Sequence, residues 1–263
     1  MKAITIVKVG GAVVEDEAQL VQLLGDFTAI EGPKILVHGG GRRATKMAER
    51  LGIETKMIDG RRITDAEMVE VVTMVYGGLV NKNVVARLQA LGCDAIGLTG
   101  ADANILLSVK RPPRVVNGSP VDYGFVGDVK QADGTKIAHF IDAGLTPVIA
   151  PLTHDGQGHI LNTNADTMAS ETAKAMAAAG YDVTLIYAFE KPGVLRDADD
   201  DNSVIEKINH ADFEAYKADG TISGGMLPKI ENALAATDAG VKRVIITQAT
   251  AIDGQHGTVI SSF

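Results

Sequence analysis

A chain of 263 residues is long enough for one large α/β domain or two smaller lobes, each with a real core. Its net charge of −8 argues against a general binder of nucleic acid or of anionic membranes, since both rely on a broad basic surface. The single cysteine, Cys93, cannot form an internal disulfide, no apolar run is long enough to span a bilayer, and Lys8 interrupts the run that a signal peptide would need. A reducing cytoplasm is the expected setting.

The first predicted strand, Ile4–Val9, runs into Gly10-Gly11. Alternation puts Ile4, Ile6 and Lys8 on one face and Thr5, Val7 and Val9 on the other. A lysine on an apolar face is costly unless its ammonium reaches an anion or water, and Lys8 sits at the strand's end. The glycines uncover backbone N–H groups where a helix begins, with Glu15 and Asp16 early and Leu20, Val21, Leu23, Leu24 and Phe27 on its buried stripe. Together with Lys8 this makes an anion site, with an ordinary βα turn as the plainer alternative.

Strand Lys34–His38, the turn Gly39-Gly40-Gly41 and a polar helix over Arg42–Leu51 repeat the pattern. Two such units imply a parallel sheet with ligands at the carboxyl ends of its strands. Gly39-x-Gly41-x-x-Ala44 also fits the dinucleotide fingerprint, with Asp59 about twenty residues on, so an NAD(P)-dependent oxidoreductase is the reading from another class. Arg61-Arg62 falls in a loop after Thr55–Ile58 and offers guanidinium forks that match a carboxylate. Thr64-x-x-Glu67 reads as a capping box opening a helix to Leu91, with Met68, Val71, Val72, Val75 and Leu79 as its stripe and Gly77-Gly78 as a point of bending or close approach. A helix this long also suits a subunit interface.

Asp94–Leu98 reads as a strand leading to Thr99-Gly-Ala-Asp102, and Arg111–Val129, with Asn117-Gly118, as a β-hairpin excursion. A helix over Thr135–Ala143, a strand Pro147–Ala150 and a turn at Asp155-Gly156 follow. Asn162-Thr-Asn164-Ala-Asp166 precedes an alanine-rich helix: one of the three side chains serves as cap, and the others are free for a polar substrate or for holding lysines. Beyond Gly180 come a strand Val183–Tyr187, the turn Lys191-Pro-Gly193, a solvated acidic turn Asp197–Asp201, a helix near His210–Tyr216, a final strand Val244–Thr247 and a turn at Gly257-Thr258. Asn202 stands where a calcium loop needs glycine. In Gly224-Gly225-Met-Leu-Pro228-Lys229, Pro228 belongs to the first turn of a helix, so Lys229 sits at the end that disfavours a cation by about 0.3–1 kcal/mol unless an anion binds there.

Two lysines beside glycine turns and a carboxylate cluster, with no Walker A, no zinc spacing and no nucleophile motif, suit phosphoryl transfer, which needs reactants in line and charge neutralised. Lys8-Val-Gly-Gly11, His38-Gly-Gly-Gly41, Gly60-Arg-Arg62-Ile-Thr64, Tyr123-Gly-Phe-Val-Gly127, Asn162-Thr-Asn-Ala-Asp166 and Gly224-Gly-Met-Leu-Pro-Lys229 occur in the order and spacing of the amino-acid kinase family, and the chain resembles its N-acylglutamate-phosphorylating branch over essentially its whole length. That resemblance implies a three-layer αβα sandwich with a largely parallel open sheet. It implies an N-lobe, 1–179, for the acyl substrate and the dimer contact, and a C-lobe, 180–263, for ATP with its Mg²⁺. The reaction implied is phosphorylation of the γ-carboxylate of N-acetyl-L-glutamate in arginine biosynthesis, with N-succinyl-L-glutamate as the alternative substrate.

By matching positions, Lys8 and Lys229 neutralise the transferring group and Asp166 holds both. Gly10, Gly11, Gly40 and Gly41 donate backbone hydrogen bonds, and Arg62, Asn162 and Asn164 grip the substrate. Gly193, Val194, Leu195, Gly224 and Gly225 line the nucleotide. The chain departs from the family at Tyr187-Ala-Phe-Glu-Lys-Pro192, where Glu190 stands in for a missing acid, and in having few residues ahead of the first strand, which resembles dimeric members that arginine does not inhibit. A kinase requires both lysines; a dehydrogenase needs Gly39–Ala44 and Asp59; a non-catalytic amino-acid sensor needs only Arg62 and Asn162.

Overall fold

A computed structural model describes residues 1–58, 60–116 and 118–262. Strand β1 (Lys2–Val9) ends at Gly10, and the helix expected after it is two, α1 (Gly11–Glu15) and α2 (Glu17–Ala29). The break comes at Asp16, whose carboxylate accepts the Gln19 N–H at 3.0 Å and caps the second helix. Leu20, Leu23, Leu24 and Phe27 are buried as expected, but Val21 is exposed. Strand β2 (Lys34–His38) and α3 (Gly41–Arg50) come next. Strands β3 (Met57–Ile58) and β4 (Arg61–Arg62) then pair antiparallel, so the arginine pair lies on a strand and not in a loop. Its alternation turns Arg62 inward and leaves Arg61 at the rim. Asp59 lies outside the described residues.

The long helix is α4 (Ala66–Val72), a π-helical stretch over Thr73–Val80 and α5 (Asn81–Ala90). Its cap is Asp65, which accepts the Met68 N–H at 2.9 Å, while the expected cap, Thr64, is buried and bridges to Gly124. The π-turn closes i→i+5 bonds and so carries an extra residue per turn. The buried phase slips accordingly: Tyr76 and Val80 are buried and Leu79, expected inside, is exposed.

The chain continues through β5 (Ala95–Leu98), β6 (Leu106–Lys110), β7 (Arg114–Val116), β8 (Ser119–Val121), β9 (Gly127–Ala132), α6 (Gly134–Asp142), β10 (Thr146–Ile149), β11 (Leu152–His154) and β12 (Ile160–Asn162). Its last third holds α7 (Ala165–Ala178), β13 (Tyr181–Phe189), β14 (Lys207–Ile208), α8 (His210–Ala218), α9 (Leu227–Asp238), β15 (Arg243–Gln248) and β16 (Thr258–Ile260). The β7–β8 hairpin pairs Val116 with Ser119; Asn117, expected at its turn, lies outside the described residues.

One eight-stranded sheet runs in the order β14-β16-β15-β13-β1-β2-β10-β5, parallel except where β16 meets β15. On one face Ile4 and Ile6 pack with Ile137, Met168, Phe213 and Ile230 from α6 to α9. On the other, Val7 and Val9 pack with Val13, Leu23, Ala44, Met68 and Val84 from α1 to α5. Helices on both faces of a mostly parallel sheet make the expected three-layer sandwich. Strand β1 lies between β13 and β2, so Lys8, Gly10 and Gly11 reach the carboxyl edge at the middle of the sheet, where such folds bind ligands. Among the described residues no helix is long and apolar enough to cross a membrane.

Candidate active site

The two glycine turns meet backbone to backbone. A methyl built on Gly39 would lie 3.0 Å from the Gly11 nitrogen, so any larger residue would have to push the two turns apart. Two cavities open on either side of this junction and share Gly41 as a wall. The smaller, about 200 Å³, is lined by Gly39–Gly41, Arg61, Arg62, Tyr76 and Asn162–Ala165. The larger, about 460 Å³, is lined by Lys8, Gly10, Gly11, Arg42, Asp166, Phe189, Glu190, Gly193, Met226 and Lys229.

In the larger cavity Lys8, 6% exposed, places Nζ 2.8 Å from Asp166 Oδ1, an ion pair without hydrogen-bond alignment. Asp166 is held in the first turn of α7, whose cap Asn164 accepts the N–H groups of Asp166 and Thr167 at 2.8 and 3.1 Å. The Tyr187 hydroxyl donates to the Asp166 carbonyl at 3.2 Å, and burial pushes its pKa up. Lys229 arrives from the opposite end of the chain in the first turn of α9, as its sequence position beside Pro228 implies. Its Nζ stands 3.7 Å from the centre of the Phe189 ring, which also carries Lys8 Nζ at 4.7 Å. Burial lowers the Lys229 pKa, the Asp166 carboxylate raises it, and Lys8 lowers it further.

The smaller cavity is built around Arg62. This guanidinium is 8% exposed, and its hydrogen bonds go to neutral oxygens: Gly41 O at 2.8 Å, Thr45 Oγ1 at 2.9 Å and Thr55 Oγ1 at 3.3 Å. A buried cation with no carboxylate partner among the described residues calls for an anionic ligand. Asn162 donates to Thr64 Oγ1 at 3.0 Å from the facing wall. Arg61 lines the rim, its pKa lowered by burial and by the nearby Arg111 guanidinium.

Sequence reading missed Tyr76. Its ring packs on Gly40, where a methyl would lie 2.9 Å from Cδ1, and its hydroxyl meets Arg62. The signal was the Gly77-Gly78 pair, but only the π-stretch turns this residue inward. Of the residues expected at the nucleotide, Glu190 and Gly193 line the larger cavity. Val194 and Leu195 do not: the Val194 N–H donates to Thr258 Oγ1 at 2.8 Å, its carbonyl accepts from Ile205, and Leu195 bridges to Val204. Gly224 and Gly225 form an exposed turn leading into α9 rather than a wall of the cavity.

Two anion-seeking cavities sharing one glycine wall, on the carboxyl edge of a doubly covered sheet, define a site for transfer between two charged small molecules. The chain belongs to the amino acid kinase family, whose family model matches residues 3–248. The acetylglutamate kinase of Bacteroides thetaiotaomicron is 63% identical over 257 residues, 98% of each chain. Among solved structures, N-acetylglutamate synthase from Neisseria gonorrhoeae, complexed with coenzyme A and N-acetyl-glutamate, matches with a TM-score of 0.79 at 22% identity, over 98% of this chain and 59% of that one. Carbamate kinase from Giardia lamblia bound to AMP-PNP matches with a TM-score of 0.68 at 15% identity, over 100% and 99%. These comparisons give no support to an oxidoreductase.

Proposed function

We propose that the protein transfers the γ-phosphoryl group of ATP to the γ-carboxylate of N-acetyl-L-glutamate, giving N-acetyl-L-glutamyl 5-phosphate and ADP in arginine biosynthesis. The observation that carries this reading is the shared wall: the Arg62 cavity and the two-lysine cleft meet at Gly41. An acylglutamate held by its α-carboxylate on Arg62, with Asn162 and Asn164 beside it, extends its γ-carboxylate toward Gly40, Gly41 and Lys8. A carboxylate oxygen attacks the γ-phosphorus, the bond to the ADP oxygen breaks, and no proton moves. Lys8 and Lys229 neutralise the equatorial charge, Asp166 fixes Lys8, and the N–H groups of Gly10, Gly11 and Gly41 meet phosphate oxygens; such preorganised donors are each worth on the order of 3 kcal/mol.

The nucleotide occupies the larger cleft between Phe189–Gly193 and Met226, with Gly224 and Gly225 flanking it. Mg²⁺, carried with the nucleotide, would offset phosphate charge. Glu190 would be available to it as an exposed carboxylate on the cleft wall, paired loosely, at 3.7 Å, with Arg42, its one ion-pair partner among the described residues. Residues 1–179 then form the acyl lobe and 180–263 the nucleotide lobe. We assign the exposed Met74 and Leu79 on the long helix to a homodimer contact, checked by sedimentation of Met74→Asp, and the cytoplasm as the setting.

ADP release with Mg²⁺-ATP, compared across N-acetyl-L-glutamate, N-succinyl-L-glutamate, glutamate and aspartate, tests the reading. Turnover with N-acetyl-L-glutamate supports it, and turnover only with unacylated amino acids rejects it. The succinyl compound belongs in the set because Arg61 brings a second guanidinium to the acyl-substrate cavity.

A further inference from the structure

His38 ends β2 immediately ahead of the glycine turn, and its imidazole is fully buried instead of facing either cavity. Nδ1 lies 2.8 Å from the Gly39 carbonyl oxygen. A carbonyl only accepts, so Nδ1 carries the proton and Nε2 is an acceptor. The Asn81 amide donates to that Nε2 at 3.1 Å and to the Val148 carbonyl at 2.9 Å. Asn81 Oδ1 accepts from Lys82 Nζ at 3.0 Å, and the same ammonium donates to the Gly97 carbonyl at 3.0 Å. Each polar atom of the imidazole and of the Asn81 amide is therefore occupied in the one role open to it, deep in the sheet.

Gly39 is pinned at both ends. Its N–H donates to the Val9 carbonyl at 3.0 Å, one residue past Lys8, and its carbonyl is held by His38. The Gly39–Gly40 peptide is planar, so its C=O and N–H point in opposite directions. A carbonyl held toward His38 sends the Gly40 N–H the opposite way, and Gly11 is close to that nitrogen: a methyl on Gly11 would sit 3.3 Å from it. Between two glycines no side chain resists rotation of this peptide.

We propose that the Asn81–His38 relay is a positioning device for phosphoryl transfer, aiming the Gly40 N–H at the junction of the two cavities by fixing the Gly39 carbonyl. Asn81 and His38 line neither cavity, so they act through the turn and not on a substrate. This rests on the reading of the junction as a phosphoryl-transfer site. If the relay slackens, the peptide rotates and a donor that matters most in the transition state is lost, which lowers kcat more than it raises KM.

The test compares Asn81→Asp, which replaces the donor to Nε2 with an acceptor, with His38→Ala and His38→Asn, the last keeping an amide donor for Gly39. Asn81→Asp and His38→Ala are expected to lose at least tenfold in kcat with both KM values within threefold, and His38→Asn to recover most of that loss. Imidazole ¹⁵N shifts of the parent should show the Nδ1–H tautomer. Parental kcat in Asn81→Asp, a KM rise matching the fall in kcat, or an Nε2–H tautomer overturns the proposal. If Asn81→Asp does not fold, the contrast between the two His38 variants decides. A parent that turns over no acylglutamate defeats the functional reading instead, and the tautomer, with the Gly40 amide shift on binding ADP, still decides the relay.

Discussion

Lys8 and Lys229 bring their ammonium groups to one aromatic ring, 4.7 and 3.7 Å from the centre of Phe189, with Asp166 beside Lys8 as the carboxylate of the pair. Two cations gathered around one carboxylate give the cleft surplus positive charge, which complements the phosphoryl group of a nucleotide. Because that neutralisation grows toward the transition state, Lys8→Ala and Lys229→Ala are each expected to lower kcat by about a hundredfold or more while the KM for acylglutamate changes by a few fold. Steady-state kinetics check this, and unchanged turnover in both variants rejects the mechanism.

Asp166→Asn keeps the size of the side chain and removes its charge. Lys8 is then a buried ammonium with no counter-ion among the described residues, in a strand paired on both sides. The expected result is a clear loss of stability, on the order of 3 kcal/mol by comparison with other broken buried pairs. ATP should restore much of it by supplying an anion to the same lysines. Thermal melts of the variant with and without nucleotide provide the measurement.

Much of this site was legible in the sequence because its parts are local. A strand that alternates into Lys8, a glycine pair where a helix begins, and Pro228 ahead of Lys229 each specify their geometry within a few residues. The misjudged places depend on the rest of the fold. Arg61-Arg62 became a strand only because Met57–Ile58 lies alongside to pair with it. Thr64 gave up its cap to Asp65 because its own backbone pairs across to Tyr123 and Phe125. Val194 and Leu195 are assigned to the nucleotide by their motif, but they line neither cavity: Thr258, distant in sequence, accepts the Val194 N–H, and Leu195 bridges to Val204. Tyr76 was marked only by the neighbouring Gly77-Gly78 pair, since a 3.6-residue period does not predict a π-turn.

Tyr76 supplies a test of the smaller cavity. Its hydroxyl lies on the cavity wall beside Arg62, where the phenolic O–H can donate to a ligand. Tyr76→Phe keeps the ring on Gly40 and removes that donor. The expected outcome is a KM for acylglutamate raised about five- to tenfold, with kcat and melting temperature close to parental. A fall in kcat at constant KM would place the hydroxyl with the reacting carboxylate instead.

Arg62→Lys separates charge from shape in the same cavity. The guanidinium is fixed by three neutral oxygens, from Gly41, Thr45 and Thr55, which together orient its fork. An ammonium satisfies neither this cradle nor a bidentate carboxylate. The KM for acylglutamate should rise at least tenfold while that for ATP stays near parental, and isothermal titration with acylglutamate alone should show the same loss.

His38 gives the fold a pH dependence of known sign. Burial lowers its pKa from the ordinary 6.5 to about 4; the Gly39 carbonyl opposes the shift and the Lys82 ammonium adds to it. Between those two values the unfolded chain binds a proton that the folded chain does not, so stability falls as pH falls. The contribution is fully present above pH 6.5 and is lost as pH drops toward 4, amounting to about 3 kcal/mol for a shift of this size. Asp155, lowered to about 2, works below that window, because a depressed carboxylate loses its contribution only once the pH passes beneath its ordinary value. Urea midpoints at pH 7.5, 6, 5 and 4.5 should therefore fall steadily in the parent and much less in His38→Gln, which has nothing to protonate at that position. Parallel slopes for the two proteins would mean that the imidazole takes up its proton inside the fold, and the hydrogen bond from Asn81 would then have to rearrange, since Nε2 becomes a donor while Nδ1–H keeps the Gly39 carbonyl.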